Sequence, residues 1–244
     1  LDARAAEILA LTEWVEGGSA DAVDADAHHA LARQVAEQSA VLLRNDDAVL
    51  PLAAGTKVAI VGDFAETPRY QGAGSSLVNP TRLSTPLEAL RASALDVVAY
   101  AQGFRRDGTA DEALASAALD AASGADVVLF YMGLDETRES EGKDRDDLTV
   151  AANQVALLER LAAAGRRVVV VLSAGAVVET PWIDECVALL HAYLGGQAGA
   201  EAVVSVLTGE VNPSGRLAET YPVTLEDNPS HSYYPGRGLY SEYR

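Results

Sequence analysis

An acidic loop near the middle of the chain holds Glu139 and Glu141, followed closely by Asp144 and Arg145, and these residue types could perform proton transfer. The loop comes directly after the apolar run 126–133, which predicts a buried strand. In parallel α/β sheets, active sites usually lie in loops beyond the carboxyl ends of the strands. Partial burial and like-charged neighbours can keep a carboxyl group protonated there, so that it can donate a proton. The alternative is a solvated acidic loop without a catalytic role.

A second candidate is the segment Gln71-Gly-Ala-Gly-Ser-Ser76, about eight residues after the first predicted strand. Its two glycines allow the backbone to approach a ligand closely, and Ser75 and Ser76 offer hydroxyl donors. A dinucleotide-binding loop would instead join strand to helix directly through Gly-x-Gly-x-x-Gly. Here residues 63–70 intervene, which excludes that motif. The segment is therefore either a plain turn or a ligand-facing loop.

The other reactive side chains form no metal-binding or nucleophile motif. No two of the four histidines have the spacing of a helical metal site, and there is no Cys-x-x-Cys. Ser173 lies at the end of a predicted strand but lacks the Gly-x-Ser-x-Gly context, which disfavours a serine hydrolase. His191 and Cys186 lie in apolar runs and are predicted to be buried core residues. We therefore expect neither a metal ion nor another cofactor.

Composition and charge limit the possible partners. The chain has 244 residues, 18 of them basic and 36 acidic, for a formal net charge of −18. Such a surface repels nucleic acid and anionic lipid, which favours a neutral or cationic small molecule, or a protein, as partner. No apolar run approaches the roughly 20 residues that a membrane span needs. One cysteine and no visible signal peptide are typical of a cytoplasmic protein, and a start at Leu1 rather than methionine indicates a piece of a longer one.

Alternating apolar runs and helical stretches predict the fold class. The predicted strands are 57–62, 96–100, 126–132, 167–173 and 187–193, and the helices between them are 86–94, 109–123, 151–164 and 197–207. Because these strands are nearly continuous in hydrophobicity rather than alternating, they are expected to be covered on both faces. Strand–helix alternation implies parallel strands with right-handed crossovers. We therefore predict an α/β fold, a three-layer α/β/α sandwich with a mostly parallel sheet of five or six strands.

The ends of the chain differ from this pattern. Two further helices are predicted over 1–15 and 27–43, with a polar, glycine-containing break between them. The chain after Pro222 has neither a helical nor a strand period. Gly124 and Gly165 follow predicted helices and are expected to adopt the left-handed conformation that ends a helix.

Taken in order, several of these segments resemble the second, α/β-sandwich domain of glycoside hydrolase family 3, the β-glucosidase family. The segments that carry the resemblance are 39–45 (SAVLLRN), 50–52 (LPL), 57–62 (KVAIVG), 71–76 (QGAGSS), 141–145 (EGKDR) with Gln154, 169–175 (VVVLSAG) with 181–182 (PW), 195–197 (GGQ), 212–217 (NPSGRL) and 220–222 (TYP). The resemblance covers residues 26–225, the predicted sandwich domain. Residues 1–25 resemble the helix and linker that leave a preceding (β/α)₈ barrel, and 226–244 an irregular tail leading to a further C-terminal segment.

The resemblance implies a retaining β-glycosidase, most simply a β-glucosidase, that hydrolyses terminal β-linked sugars with two carboxylates about 5–5.5 Å apart. In the family the nucleophile is an Asp of the barrel, outside this chain, and the acid/base is a Glu of the Glu-Gly-x-Asp-Arg loop. By that motif Glu141 is the predicted acid/base, with Glu139 as the alternative. The implied partners are a β-linked oligosaccharide or an aryl or alkyl glycoside, and the barrel domain of the same enzyme. Alone, the fragment is expected to be inactive.

The resemblance also implies roles for the surrounding loops. Asp144 and Arg145 are expected to anchor the acidic loop through an ion pair. Gln71, Ser75 and Ser76 are expected to contact the substrate at the mouth of the sugar site.

Two segments depart from the family pattern. Leu148-Thr-Val-Ala151 stands where many members have Leu-x-Leu-Pro, a change that a helix start tolerates. Ala174-Gly175 stands where many members have Asn-Gly, so a side-chain hydrogen bond is expected to be missing. Two alternatives to an enzyme domain stay open: a non-catalytic α/β module for sugar binding or scaffolding, and a flavodoxin-like nucleotide domain. The second is weakened by the missing phosphate loop.

Overall fold

The computed structural model describes residues 1–18 and 22–228, and its core is a six-stranded sheet between two helical layers. The strands are β1 (Val41–Asn45), β2 (Lys57–Val61), β3 (Asp96–Ala101), β4 (Val127–Gly133), β5 (Val168–Ser173) and β6 (Ala188–His191). The helices are α1 (Asp2–Glu16), α2 (Ala25–Ser39), α3 (Pro86–Arg91), α4 (Glu112–Ala122), α5 (Ala152–Ala163) and α6 (Gly199–Thr208). The predicted three-layer α/β sandwich is confirmed.

The strand order is β1-β6-β5-β4-β2-β3, and only β1 runs antiparallel to its neighbour. Helix α6 packs against α2 and α3, and α4 packs against α5. Every residue of β4 and β6 is buried, as is all of β5 except its last residue. This burial explains the nearly continuous apolar runs of these three strands, because helices cover both faces of the sheet there. The expectation is wrong for the edge strand β3, in which Asp96 and Val98 are exposed and only Ala101 is buried.

The parallel strands end at one edge of the sheet. Gly133, the last residue of β4, pairs with Ser173 at the end of β5, and Leu172 pairs with His191 at the end of β6. The loops that leave β2, β4, β5 and β6 therefore emerge side by side. The candidate proton-transfer residues were predicted to lie at this edge.

The predicted helix 27–43 is wrong at its carboxyl end. Helix α2 ends at Ser39, and Val41–Asn45 form β1, paired with β6. Gly215 lies against the helix–strand junction, where an added Cβ would be 2.4 Å from the Ser39 carbonyl oxygen, and its N–H donates to the Ala40 carbonyl. Backbone pairing with β6 satisfies the polar groups of this segment, so tertiary structure overrides its helical apolar spacing.

The two predicted glycine caps have different outcomes. Gly165 has a φ of 71° after α5, as predicted. Gly124 is not left-handed, so that prediction is wrong. Helix α4 ends at Ala122, and the Ser123 hydroxyl closes its last turn by donating to the Asp120 carbonyl at 2.7 Å.

Helix α1 stands apart from the core. It has no buried residue, and Ile8, Trp14 and Val15 are each more than half exposed.

The domain boundary placed after residue 25 stays a prediction. Of the predicted tail 226–244, residues 229–244 lie outside the described residues. Within the described ranges, no helix combines the length and apolar character that crossing a bilayer requires.

Cys186 and His191 are buried, as predicted. Burial raises the pKa of the Cys186 thiol to about 12, which makes it a poor nucleophile. His191 Nδ1 lies 3.3 Å from the Leu172 carbonyl oxygen, and its Nε2 lies 2.7 Å from the Tyr221 hydroxyl. Because a carbonyl only accepts, Nδ1 carries the proton and the Tyr221 hydroxyl donates to Nε2. Burial lowers the pKa of His191 to about 4.

This buried histidine is expected to make stability depend on pH. An unfolded histidine has a pKa of about 6.5, so between that value and about pH 4 the unfolded state binds more protons. The free energy of unfolding should therefore fall as the pH is lowered through this window, by at most about 1.4 kcal/mol per pH unit from this group. Urea unfolding across the window should show a shallower slope for His191→Gln. His28→Gln, at an exposed position on α2, is the control, and an unchanged slope in His191→Gln would contradict the assignment.

Candidate active site at the carboxyl edge of the sheet

An open cavity of about 360 Å³ lies where the loops after β2, β4, β5 and β6 meet. Its lining includes Ser76, Glu139, Glu141, Asp144, Arg145, Gly175 and Leu194. Five of the predicted site residues thus surround one space, although residues 76 and 139 are far apart in sequence. This convergence of carboxylates and hydroxyls makes the cavity the candidate active site.

A larger groove of about 660 Å³ lies between α2, α3 and α6. Its charged side chains bind one another: Arg82 Nη2 lies 3.1 Å from Glu201, and Arg33 lies 3.1 Å from Glu210. Such pairing is typical of structural surface contacts, so we place the site at the smaller cavity.

Glu141 joins the two candidate loops. Its Oε2 accepts hydrogen bonds from the Ser75 backbone N–H, at 2.8 Å, and from the Ser75 hydroxyl. Its own N–H donates to the Ala73 carbonyl at 3.0 Å. Gly74, with a φ of 97°, leaves room for this contact, since an added Cβ would lie 2.8 Å from the Glu141 Cβ. The glycine-rich segment is therefore a loop that holds Glu141, rather than a plain turn.

The pKa of Glu141 is shifted in the direction opposite to that expected of a general acid. The side chain is exposed, and the hydrogen bonds from Ser75 hold its pKa below the usual range. A carboxyl group that donates a proton near neutral pH needs a raised pKa, which burial or a like charge provides. The domain by itself thus orients Glu141 as an ionised carboxylate.

Glu139 lies deeper in the same loop, with a side chain that is 17% exposed. Its Oε2 accepts from the Gly175 N–H at 3.0 Å and lies 3.4 Å from Nη2 of Arg69. An added Cβ at Gly175 would lie 3.0 Å from Oε1 of Glu139. Next to Ala174, the Gly175 backbone N–H therefore supplies a hydrogen bond to the acidic loop. This geometry favours an anchoring role for Glu139 and leaves Glu141 more accessible.

Two further predicted residues, Arg145 and Gln71, stabilise the loops through hydrogen bonds to backbone groups. Arg145 Nη1 donates to the Val177 carbonyl at 2.7 Å and so ties the acidic loop to the segment after β5. Its ion pair with Asp144 stays a prediction. Gln71 closes its own loop, because its amide donates to the Val78 carbonyl at 3.0 Å and accepts from the Val78 N–H at 3.1 Å. The substrate contacts of Gln71, Ser75 and Ser76 also stay predictions.

Two residues that shape the site were not singled out from the sequence. Arg69 has a side chain that is 1% exposed, and it binds carbonyl groups of both loops. Asp135 is buried and caps the first turn of the acidic loop by accepting from the N–H groups of Thr137 and Arg138, at 2.7 and 3.1 Å. The Asp-x-Thr spacing is a usable signal for the second, since Asp often bonds the backbone two residues later. A lone arginine in a loop carries no comparable signal.

Gln154 sets the point at which β4 ends. This fully buried side chain on α5 accepts from the Gly133 N–H at 2.8 Å and donates to the Gly133 carbonyl at 3.0 Å. The acidic loop begins after Gly133, whose backbone is fixed by these two hydrogen bonds.

In the part of the chain that the structure describes, no three His, Cys, Asp or Glu side chains are grouped to hold a metal ion.

An α/β sandwich with a carboxylate-lined cavity at its strand ends defines the class, and comparison with known proteins identifies the family. Residues 40–243 match the model of the glycosyl hydrolase family 3 C-terminal domain. The chain belongs to this family, as its resemblance predicted.

The relatives are glycosidases. The chain is 48% identical over 225 residues to thermostable beta-glucosidase B of Acetivibrio thermocellus, a match covering 91% of the chain and 30% of the relative. It is 45% identical over 231 residues to an exo-alpha-(1->6)-L-arabinopyranosidase of Bifidobacterium breve, covering 90% and 30%. The crystal structure of the Bifidobacterium adolescentis GH3 beta-glucosidase matches with a TM-score of 0.87 and 44% identity, covering 95% of this chain and 34% of that one. The chain thus spans about a third of the length of these proteins.

Proposed function

We propose that this chain is the acid/base-bearing domain of a retaining β-glycosidase, most simply a β-glucosidase, with Glu141 as the proton donor. The observation that carries the proposal is the position of Glu141. Its carboxylate is exposed on the cavity at the carboxyl edge of the sheet, and Ser75 holds only one of its oxygens. Within the described ranges Oε1 accepts no hydrogen bond from protein, which leaves it available to a substrate.

In the first step, protonated Glu141 gives its proton to the glycosidic oxygen while a carboxylate of the proposed barrel domain attacks the anomeric carbon. The leaving alcohol departs, and a glycosyl–enzyme ester remains. In the second step, ionised Glu141 removes a proton from water, the water attacks the anomeric carbon, and the ester bond breaks. Glu141 ends protonated and the cycle closes.

The lowered pKa of Glu141 in the domain alone means that proton donation near neutral pH needs a change around this carboxyl group. When a sugar and a second domain cover the cavity, desolvation raises the pKa of Glu141, because burial disfavours the charged form. Ser75 continues to hold Oε2, so that Oε1 presents the proton. The domain alone is expected to hydrolyse nothing, because the nucleophile is proposed to lie in the barrel domain.

The sugar is a further part of the proposal. The relatives named above include two β-glucosidases and an α-L-arabinopyranosidase, so closely similar domains occur in enzymes with different sugars. The substrate is therefore placed at the level of a terminal glycoside, with glucose first among the candidates.

The full-length protein should hydrolyse nitrophenyl β-glucoside, and proton NMR should show the β-anomer of the sugar as the first product. The chain 1–244 alone should be inactive on the same substrate. An α-anomer as first product would contradict the retaining mechanism. Sugar binding without hydrolysis by the full-length protein would instead favour the non-catalytic binding module.

A further inference from the structure

Arg69 lies in the loop after β2, and its guanidinium is almost completely enclosed, with the side chain 1% exposed. Its donors are all directed at the two loops of the candidate site. Nε donates to the Gln71 carbonyl at 3.1 Å, Nη1 to the Leu134 carbonyl at 2.8 Å, and Nη2 to the Glu139 carbonyl at 2.9 Å. One side chain thus connects the two loops through three backbone carbonyl groups.

These three carbonyl groups lie close in sequence to the residues that meet in the cavity. Gln71 starts the loop that carries Ser75, whereas Leu134 and Glu139 belong to the loop that carries Glu141. A planar guanidinium can bind three carbonyls in a fixed arrangement, but the single ammonium of a lysine cannot reproduce it. The separation of the two loops therefore depends on the shape of Arg69 as well as on its charge.

The charge of Arg69 is compensated locally. Buried cations are costly unless they are paired, and the Glu139 carboxylate lies 3.4 Å from Nη2. The Glu139 carboxylate is held in turn by the Gly175 N–H after β5. A continuous set of contacts therefore runs from Arg69 through the Glu139 carboxylate to the Gly175 N–H. It supports the loop that carries Glu141.

We propose that Arg69, with Glu139 as its counter-ion, is a positioning residue that sets the loop separation at which Ser75 orients Glu141 for proton transfer. This inference rests on the proposed function, because it acts through Glu141. It assigns Glu139 to anchoring rather than to proton donation. A displacement of about 1 Å at a catalytic group can cost about 10²-fold in rate, so a modest change in loop separation suffices for a large effect.

The test uses Arg69→Lys and Arg69→Gln in the full-length protein, with Arg44→Lys as the matched control. Arg44 also binds two carboxylates and a carbonyl, but it lies on β1 away from the cavity. Both Arg69 variants should lose about 10²-fold in kcat on an alkyl β-glucoside, with KM little changed. On dinitrophenyl β-glucoside, whose leaving group needs no proton, the loss should be about tenfold or less. Arg44→Lys should show no such difference between substrates.

A merely structural role for Arg69 predicts equal losses on the two substrates, together with a lower Tm, and that result would overturn the inference. Failure of both Arg69 variants to fold, with Arg44→Lys folded, would assign Arg69 to the stability of the fold and would overturn it as well. The proposed function fails separately, if Glu141→Ala itself does not distinguish the two substrates.

Discussion

Glu141→Ala in the full-length protein is expected to slow hydrolysis of an alkyl β-glucoside by about 10²–10⁴-fold, the usual contribution of general acid catalysis. An alkoxide is a poor leaving group and needs the proton that Glu141 supplies. Dinitrophenolate is stable without a proton, so formation of the glycosyl–enzyme from the dinitrophenyl glycoside should be affected much less. Steady-state rates on the two substrates measure this difference.

The second half of the reaction gives an independent signal. Without Glu141 no carboxylate removes the proton from water, so the glycosyl–enzyme should break down slowly. Azide is already an anion and needs no general base, and it should therefore raise the rate on the activated substrate and give a glycosyl azide. Nucleophile rescue of this kind follows from the role of the residue as general base.

Two variants in the same loop serve as comparisons. Glu139→Ala tests the other candidate donor, and azide rescue in that variant instead of Glu141→Ala would transfer the role to Glu139. Glu136→Ala is the matched control, since Glu136 pairs with Arg106 and lies outside the lining of the cavity. Equal losses on both substrates in Glu141→Ala would argue against Glu141 as the acid.

Gly133→Ala should be the most damaging small substitution for folding. An added Cβ would lie 1.8 Å from the Ser173 carbonyl oxygen, and Gly133 also has a φ of 155°. The neighbouring backbone is paired with β4 and cannot move away without breaking the sheet. We expect a loss of more than about 4 kcal/mol in the free energy of unfolding, a size reserved for core disruption.

Gly165→Ala separates this clash from backbone strain. Gly165 also has a positive φ, of 71°, but no atom lies within 4 Å of its added Cβ. Strain alone should cost about 1–2 kcal/mol. Urea unfolding of both variants gives the comparison. A Gly133→Ala protein as stable as Gly165→Ala would mean that the end of β4 is less constrained than its pairing indicates.

The layered fold could be predicted because its central strands, β4 and β5, are buried on both faces. Residues 127–132 and 168–172 form continuous runs of aliphatic, aromatic and methionine side chains, which distinguishes them from the helical stretches around them. Segment 41–45 could not be assigned in this way. Two of its three apolar residues, Leu42 and Leu43, fit a helical stripe as well as a strand, and pairing with β6 decides between the two.

The residue types of the site could be predicted from the sequence, because carboxylates after a buried strand and a glycine–serine loop are both local patterns. The contact between these two loops could not be predicted. Ser75 and Glu141 are 66 residues apart, and they touch because β2 and β4 are adjacent parallel strands with loops leaving the same edge. Arg69 shows the limit most clearly, since a single loop arginine has no periodicity and its three carbonyl partners come together only in the folded chain. Local residue pattern thus determined the strands and the reactive groups, whereas strand order, a long-range property, decided which groups share one cavity.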